Sequence, residues 1–233
     1  VPRLVILKTG STLPRLAPRG DYEDWIAEGM GARDVHVCRV AEGDPLPAPE
    51  DVGALVITGS SAMVTDRLPW SEAAAAWLPE VLAREVPVLG ICYGHQLLAH
   101  ALGGEVGLNP RGREIGTIEV ELTPEGAADP LLGSRGPTLV VSASHRQSVL
   151  ALPPGARRLA GNAKDPNQAF ALGARTWAVQ FHPEWDHEVV RVYVEERADA
   201  LRAEGLDPDA LLAATRASDD GPALLKRFAE LAG

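Results

Sequence analysis

Short apolar blocks alternate with helical periodicities through the N-terminal half of this chain. Arg3–Thr9, Asp51–Thr58 and Val86–Ile91 carry the apolar runs expected of strands buried on both faces, and Asp34–Val40 alternates as another strand. Between them, Asp21–Met30 has a helical pattern around Tyr22, Trp25 and Ile26. Trp70–Arg84 has a second, with Leu78, Val81 and Leu82 on one stripe, and Pro79 is expected to kink or split it. From Glu105 the pattern changes. Glu114–Leu122 alternates apolar and polar, as a strand with one wet face does. Short strands follow at 138–142, 147–152, 157–160, 168–172 and 176–181, divided by turns such as Pro153-Pro-Gly155 and Asp165-Pro-Asn167. Beyond Trp185, one helix is expected over Asp186–Glu204 and a last one from near Pro222, burying Leu224, Leu225, Phe228 and Leu231. The proline-rich stretch at 44–50 is too short for a linker. The expectation is a single domain over residues 1–233: a three-layer α/β sandwich, flavodoxin-like, whose mostly parallel mixed sheet has helices on both faces.

Composition narrows the partners. With 233 residues, 45% of them hydrophobic, the chain can bury a sizeable core, and no apolar run approaches membrane-spanning length. A formal charge of −10 argues against nucleic acid or an anionic membrane as partner. The two cysteines, Cys38 and Cys92, lack metal-ligand spacing, and their scarcity fits a reducing cytoplasm. No metal or other cofactor is expected. His36 and Cys38 share a strand face, and structural filling accounts for them better than a thiol–imidazole pair.

One cysteine changes the picture. Cys92 stands where the buried strand Val86–Ile91 meets a helical pattern (Leu97, Leu98, Ala101, Leu102) that Gly103-Gly104 ends. Gly90 and Gly94 flank it, as a sharp strand-to-helix turn requires, because side chains there would crowd a strained backbone. At a helix N-terminus, free N–H groups and the helix dipole favour an anionic sulfur. A cysteine nucleophile also needs a base, and the base needs an orienting group. His182 and Glu184 lie two apart at the end of the apolar strand Thr176–Phe181, so both point the same way, and Pro183 between them fits a strand just ending. His95 lies too close in sequence to reach the sulfur, and His100 lies about two turns further on. His145, expected in a loop, is the strongest competitor for the base.

Gly90-Ile-Cys-Tyr-Gly-His-Gln96 and Gln180-Phe-His-Pro-Glu184 resemble the two signatures of class I glutamine amidotransferases. The nearest resemblance is to stand-alone proteins similar to the glutaminase domain of GMP synthase, and it covers most of the chain. It implies a thioester on Cys92, with His182 as base and Glu184 as its orienter. It also implies an oxyanion hole from the Gly59 and Tyr93 N–H groups, and substrate contacts from Gln96, Ser61, Ser144, His145 and Arg146. Ser60, Ser61 and Arg146 depart from the residues usual at those places. The chain has neither a G-x-x-x-x-G-K-[ST] phosphate loop nor a Ser-Gly-Gly-x-Asp-Ser loop to activate an acceptor with ATP. Three roles stay open: a γ-glutamyl hydrolase with no partner, a glutamine-binding protein, and an amidotransferase feeding ammonia to a separate ATP-dependent synthetase subunit. The intact Cys92, His182 and Glu184 set speaks against a protein that only binds.

Overall fold

A computed structural model describes residues 3–233. The apolar blocks become β1 (Arg3–Leu7), β2 (Val35–Cys38), β3 (Val52–Ile57) and β4 (Val88–Ile91), which are parallel in the order β2-β1-β3-β4. The helices α1 (Tyr22–Met30) and α2 (Pro69–Leu82) cross between them, and α3 (Tyr93–Ala101) leaves β4 after one residue. Successive strand residues face opposite ways. Ile6, Val56, Leu89 and Ile91 enter a core with Tyr22 and Ile26 of α1. Val5, Leu7, Leu55, Ile57 and Val88 enter a second core with Leu78 and Val81 of α2 and Leu97 and Leu98 of α3. Two cores, one on each face of the sheet, make the three layers.

The β-rich half completes the sheet. It holds β5 (Glu105–Leu108), β6 (Glu114–Leu122), the short α4 (Pro124–Ala127), β7 (Thr138–His145), β8 (Gln147–Ala151), β9 (Arg157–Gly161), β10 (Ala169–Leu172) and β11 (Thr176–Val179). The nine-stranded order is β2-β1-β3-β4-β11-β10-β9-β6-β7, while β5 and β8 form a separate ribbon. β11 lies parallel to β4, Thr176 opposite Val88 and Val179 opposite Ile91; β10, β9, β6 and β7 continue antiparallel. This one pairing sets up the site. Adjacent parallel strands end on the same edge of a sheet, so residues just after β4 and just after β11 emerge side by side.

The C-terminal helices differ from the periodicity. The helix expected over Asp186–Glu204 is two, α5 (His187–Glu196) and α6 (Ala198–Ala203), broken at Arg197 (φ −106°, ψ 8°). Val194 and Leu201 are seven apart, a spacing a continuous helix would share, and neither Gly nor Pro marks the break. A further helix, α7 (Pro208–Ala214), is capped by Asp207, and α8 (Asp220–Ala232) closes the fold against β7 and α1. Pro79 does not split α2, which runs on to Leu82; the proline removes one donor, the one that would meet the Ala75 carbonyl.

Candidate active site

Cys92 has φ 50° and ψ −96°, a conformation that costs a non-glycine residue about 1–3 kcal/mol. Its neighbours hold it there. The Cys92 N–H donates to the Val179 carbonyl (2.9 Å), and the Gly94 N–H to the Thr58 carbonyl (3.2 Å). A Cβ on Gly94 would lie 2.5 Å from the Ile57 oxygen, and one on Gly90 2.6 Å from the Gly94 oxygen. The crowding that demands glycine thus comes from β3 and α3 pressing on the turn. The Tyr93 hydroxyl pairs with Ser71 Oγ (2.7 Å), and Trp70 packs against its ring (5.5 Å between centroids). That anchorage fixes the first residue of α3.

The turn after β3 approaches from the other side. The Gly59 carbonyl accepts from the Thr9 and Thr58 hydroxyls (3.0 Å each), which ties it back. A Cβ on Gly59 would sit 2.8 Å from His182 Cε1. Among the described residues, neither the Gly59 nor the Tyr93 N–H finds an acceptor outside regular helix and strand bonding. Ser60 Oγ accepts from the Ala62 N–H (3.1 Å), and Gly10 leaves room for it, since a Cβ there would fall 2.7 Å from Ser60 Oγ. Ser60, in place of the usual residue, therefore builds a hydrogen-bonded turn.

His182 follows β11 and is buried. Its N–H donates to the Ser142 carbonyl (2.8 Å), and its Nδ1 lies 2.7 Å from Glu184 Oε1, whose side chain is fully enclosed. Burial disfavours the imidazolium, but Glu184 and then Cys92 outweigh it and raise the His182 pKa to about 10. Trp185 stacks on the imidazole (3.7 Å, 10° between planes), and Tyr22 lies beyond (6.0 Å) with its hydroxyl on that of Tyr193 (2.7 Å). Sequence reasoning missed this aromatic wall. Tyr22, Trp185 and Tyr193 occupy distant places in the chain and resemble ordinary core residues there.

Cys92 and Tyr93 line a pocket of about 230 Å³, and Ser61, Gln96, Ser144, His145 and Arg146 line it too. Arg113 and Arg197, also on its wall, were not foreseen. His182 borders a separate cleft of about 250 Å³ with Trp185. In this state the Cys92 thiol points to the Ser144 carbonyl at 4.0 Å. Gln96 Nε2 donates to the Gln147 carbonyl and to Gln180 Oε1 (2.9 Å each), leaving its own oxygen for the pocket.

Two of the three rival histidines are held by polar partners. His145 is not in a loop: Ser144 and His145 end β7, and Arg146 alone separates them from β8. The His145 ring is held by the Gln147 carbonyl and Glu114 Oε2 (2.9 Å each), because the β6–β7 pairing sets Glu114 opposite it. His95 is fully buried against Phe170, and burial lowers its pKa to about 4. His100 sits with Glu72 and Arg67. Cys38 is buried apart from the site, and burial, with Asp44 nearby, pushes its thiol up to about 11; its partner is the Pro45 carbonyl. Among the described residues no group of His, Cys, Asp and Glu is arranged to hold a metal ion, and no helix is long and apolar enough to cross a membrane.

The family pattern described as glutamine amidotransferase class-I matches residues 21–196. The chain belongs to that family. It is 36% identical over 162 residues to a glutamine-hydrolyzing GMP synthase subunit of Natronomonas pharaonis, an alignment covering 69% of this chain and 82% of that one. The glutamine-hydrolyzing GMP synthase of Porphyromonas gingivalis is 40% identical over 191 residues, 79% of this chain but 33% of that longer protein. In fold, the chain is similar to a glutamine amidotransferase from Thermotoga maritima, with a TM-score of 0.78, 24% identity, and 99% of this chain and 97% of that one covered. The protein is thus an enzyme of the glutamine amidotransferase class, whose general chemistry is hydrolysis of the glutamine amide with transfer of the ammonia released.

Proposed function

We propose that this protein hydrolyses the side-chain amide of glutamine through a thioester on Cys92. The observation that carries the reading is His182, enclosed with Glu184 at 2.7 Å and placed where the Cys92 sulfur helps to raise its pKa. An imidazole holding its proton to about pH 10 is a cation at working pH, so it stabilises negative charge on the sulfur. Sγ attacks the γ-carbonyl carbon, and the oxygen takes up the charge between the Gly59 and Tyr93 N–H groups, each such donor being worth about a hundredfold to a thousandfold in rate. His182 gives its proton to the departing nitrogen as the C–N bond breaks, and ammonia leaves. It then takes a proton from the water that attacks the thioester; the C–S bond breaks, glutamate leaves, and the sulfur departs as thiolate beside the restored imidazolium. Glu184 keeps the ring oriented throughout. Gln96 offers its carbonyl to the substrate's donors, and Ser61, Ser144, His145 and Arg146 shape the rest of the pocket.

The ammonia passes to an acceptor on a separate ATP-dependent synthetase subunit. The resemblance to a protein named as one subunit of a glutamine-hydrolyzing GMP synthase supports this. Its two cysteines, few and both unpaired, fit a reducing cytoplasm. The same three residues would equally cleave a γ-glutamyl peptide or amine with no partner, since only the leaving group differs. Cys92→Ala is the test of the shared chemistry. It should abolish ammonia release from glutamine and labelling by a glutamine-shaped electrophile. Near-normal turnover would reject the reading.

A further inference from the structure

One buried carboxylate takes no part in the proposed chemistry. Glu114 opens β6, and the β6–β7 pairing sets it opposite His145. Its Oε2 accepts from His145 Nε2 (2.9 Å) and from Gln168 Nε2, and its Oε1 accepts from Asn162 Nδ2 (2.8 Å). On the other side of the ring, His145 Nδ1 lies 2.9 Å from the Gln147 carbonyl. A carbonyl and a carboxylate oxygen only accept, so both ring nitrogens donate, and the ring is an imidazolium paired with Glu114. Buried charges of this kind persist when they are paired and hydrogen-bonded, and these contacts provide both. The imidazolium thus spans the corner between β7 and β8 and ties the first carbonyl of β8 to a side chain of β6. The same Gln147 carbonyl accepts from Gln96 Nε2 (2.9 Å), and Gln180 Oε1 accepts from that nitrogen as well (2.9 Å). Turned over, the Gln96 amide would set its oxygen against two acceptors, so its orientation depends on the Gln147 carbonyl keeping its place. Gln96, His145 and Gln147 line the Cys92 pocket, and Glu114 does not.

We propose that Glu114 is a positioning residue for substrate binding: it clamps His145 and, through the Gln147 carbonyl, fixes the Gln96 amide with its oxygen towards the substrate. This rests on the reading of Gln96 as a substrate contact. Without the carboxylate the ring loses its counter-charge, gives up a proton, and has to find another partner for Nε2. Glu114→Gln supplies one, because an NH2 in place of Oε2 donates to Nε2 while Nδ1–H stays on the Gln147 carbonyl. Gln168 can accept from that new NH2 by turning over its own amide, whose oxygen is buried without a partner. Glu114→Leu supplies none, and the ring is then free to turn away from the carbonyl. The Gln96 amide loses its fixed acceptor with it.

The experiment is a double-mutant cycle of Glu114→Leu and Gln96→Ala on glutamine turnover, with Glu114→Gln as the conservative variant and the unfolding midpoint checked for each. Glu114→Leu should raise KM by about fivefold to thirtyfold with kcat within about threefold, because a contact made equally in ground and transition states enters KM. Glu114→Gln should stay within about threefold of the wild type in both. A residue that acts through Gln96 adds nothing once Gln96 is gone, so the double variant should match Gln96→Ala within about twofold. Should Glu114→Leu fail to fold, the pair Glu114→Leu and His145→Leu removes both charges together, which is better tolerated, and takes its place in the cycle. The Gln96 side-chain NH2 signals in nitrogen-15 NMR, identified by their loss in Gln96→Ala, give a reading that needs no substrate. They should move in Glu114→Leu and keep their place in Glu114→Gln. An unchanged KM in Gln96→Ala would overturn the substrate contact, and the NH2 signals then decide the positioning role alone. NH2 signals unmoved in Glu114→Leu, KM effects that multiply in the double variant, or equal losses in Glu114→Leu and Glu114→Gln would overturn the proposal.

Discussion

Replacing Glu184 by Gln keeps the shape of the side chain and removes its charge from an enclosed place 2.7 Å from the His182 ring. A pKa of about 10 against the ordinary 6.5 corresponds to about 5 kcal/mol of net preference for the imidazolium. Burial acts in the opposite direction, so the charged neighbours supply more than that net figure, and Glu184 leads them. The substitution should lower the His182 pKa by about one to three units. The assay is a titration of the labelled imidazole nitrogens by NMR between pH 5 and 11, run beside kcat on glutamine. We expect kcat to fall by about a hundredfold to ten-thousandfold, because the amide loses the charge and can turn its NH2 to the ring, which then takes the wrong tautomer. Stability follows the same linkage. The folded pKa lies above the unfolded one, so the contribution of His182 is fully present below about pH 6.5 and is lost as pH rises through about 10. Urea unfolding of the wild type should show that decline, and Glu184→Gln should shrink it and move it to lower pH. An imidazole titrating at the same pH in both proteins would refute the reasoning.

The other predictions are smaller in scope. Cys92→Gly should be more stable than Cys92→Ala by about 1 kcal/mol in urea unfolding, since glycine tolerates φ 50° without strain; equal midpoints would remove strain from the account. Gly94→Ala should destabilise the fold by about 1–3 kcal/mol, because its Cβ would meet the Ile57 oxygen at 2.5 Å, and calorimetry measures this directly. Trp185→Leu removes the stacked ring and about 0.5–2 kcal/mol of its attraction for the imidazolium. The His182 pKa should then fall while the substrate KM changes little, and an unmoved pKa would count against a role for the stack.

Much of the fold was legible because the signals were local. Branched apolar blocks marked β1, β3 and β4, and Gly90 and Gly94 marked the turn at Cys92. The same local signals misled where packing decides the outcome. The stripe through Val194 and Leu201 hid the break at Arg197. His145 looked like a loop residue until the β6–β7 pairing put Glu114 beside it. Alternation also placed His182 and Glu184 on a common side, and the 2.7 Å bond agrees with that reading.

What the chain determined by itself was a set of residue types at fixed spacings: a cysteine between two glycines after a buried strand, and a histidine two before a glutamate after another. Periodicity and backbone sterics are short-range, so they can be read along the sequence. Which strands lie side by side depends on contacts between residues far apart in it, and only the folded sheet decided that. The parallel pairing of β4 with β11 brought Cys92 beside His182, and the same long-range packing gathered Tyr22, Trp185 and Tyr193 around the imidazole and set Arg113, Arg146 and Arg197 on one pocket wall.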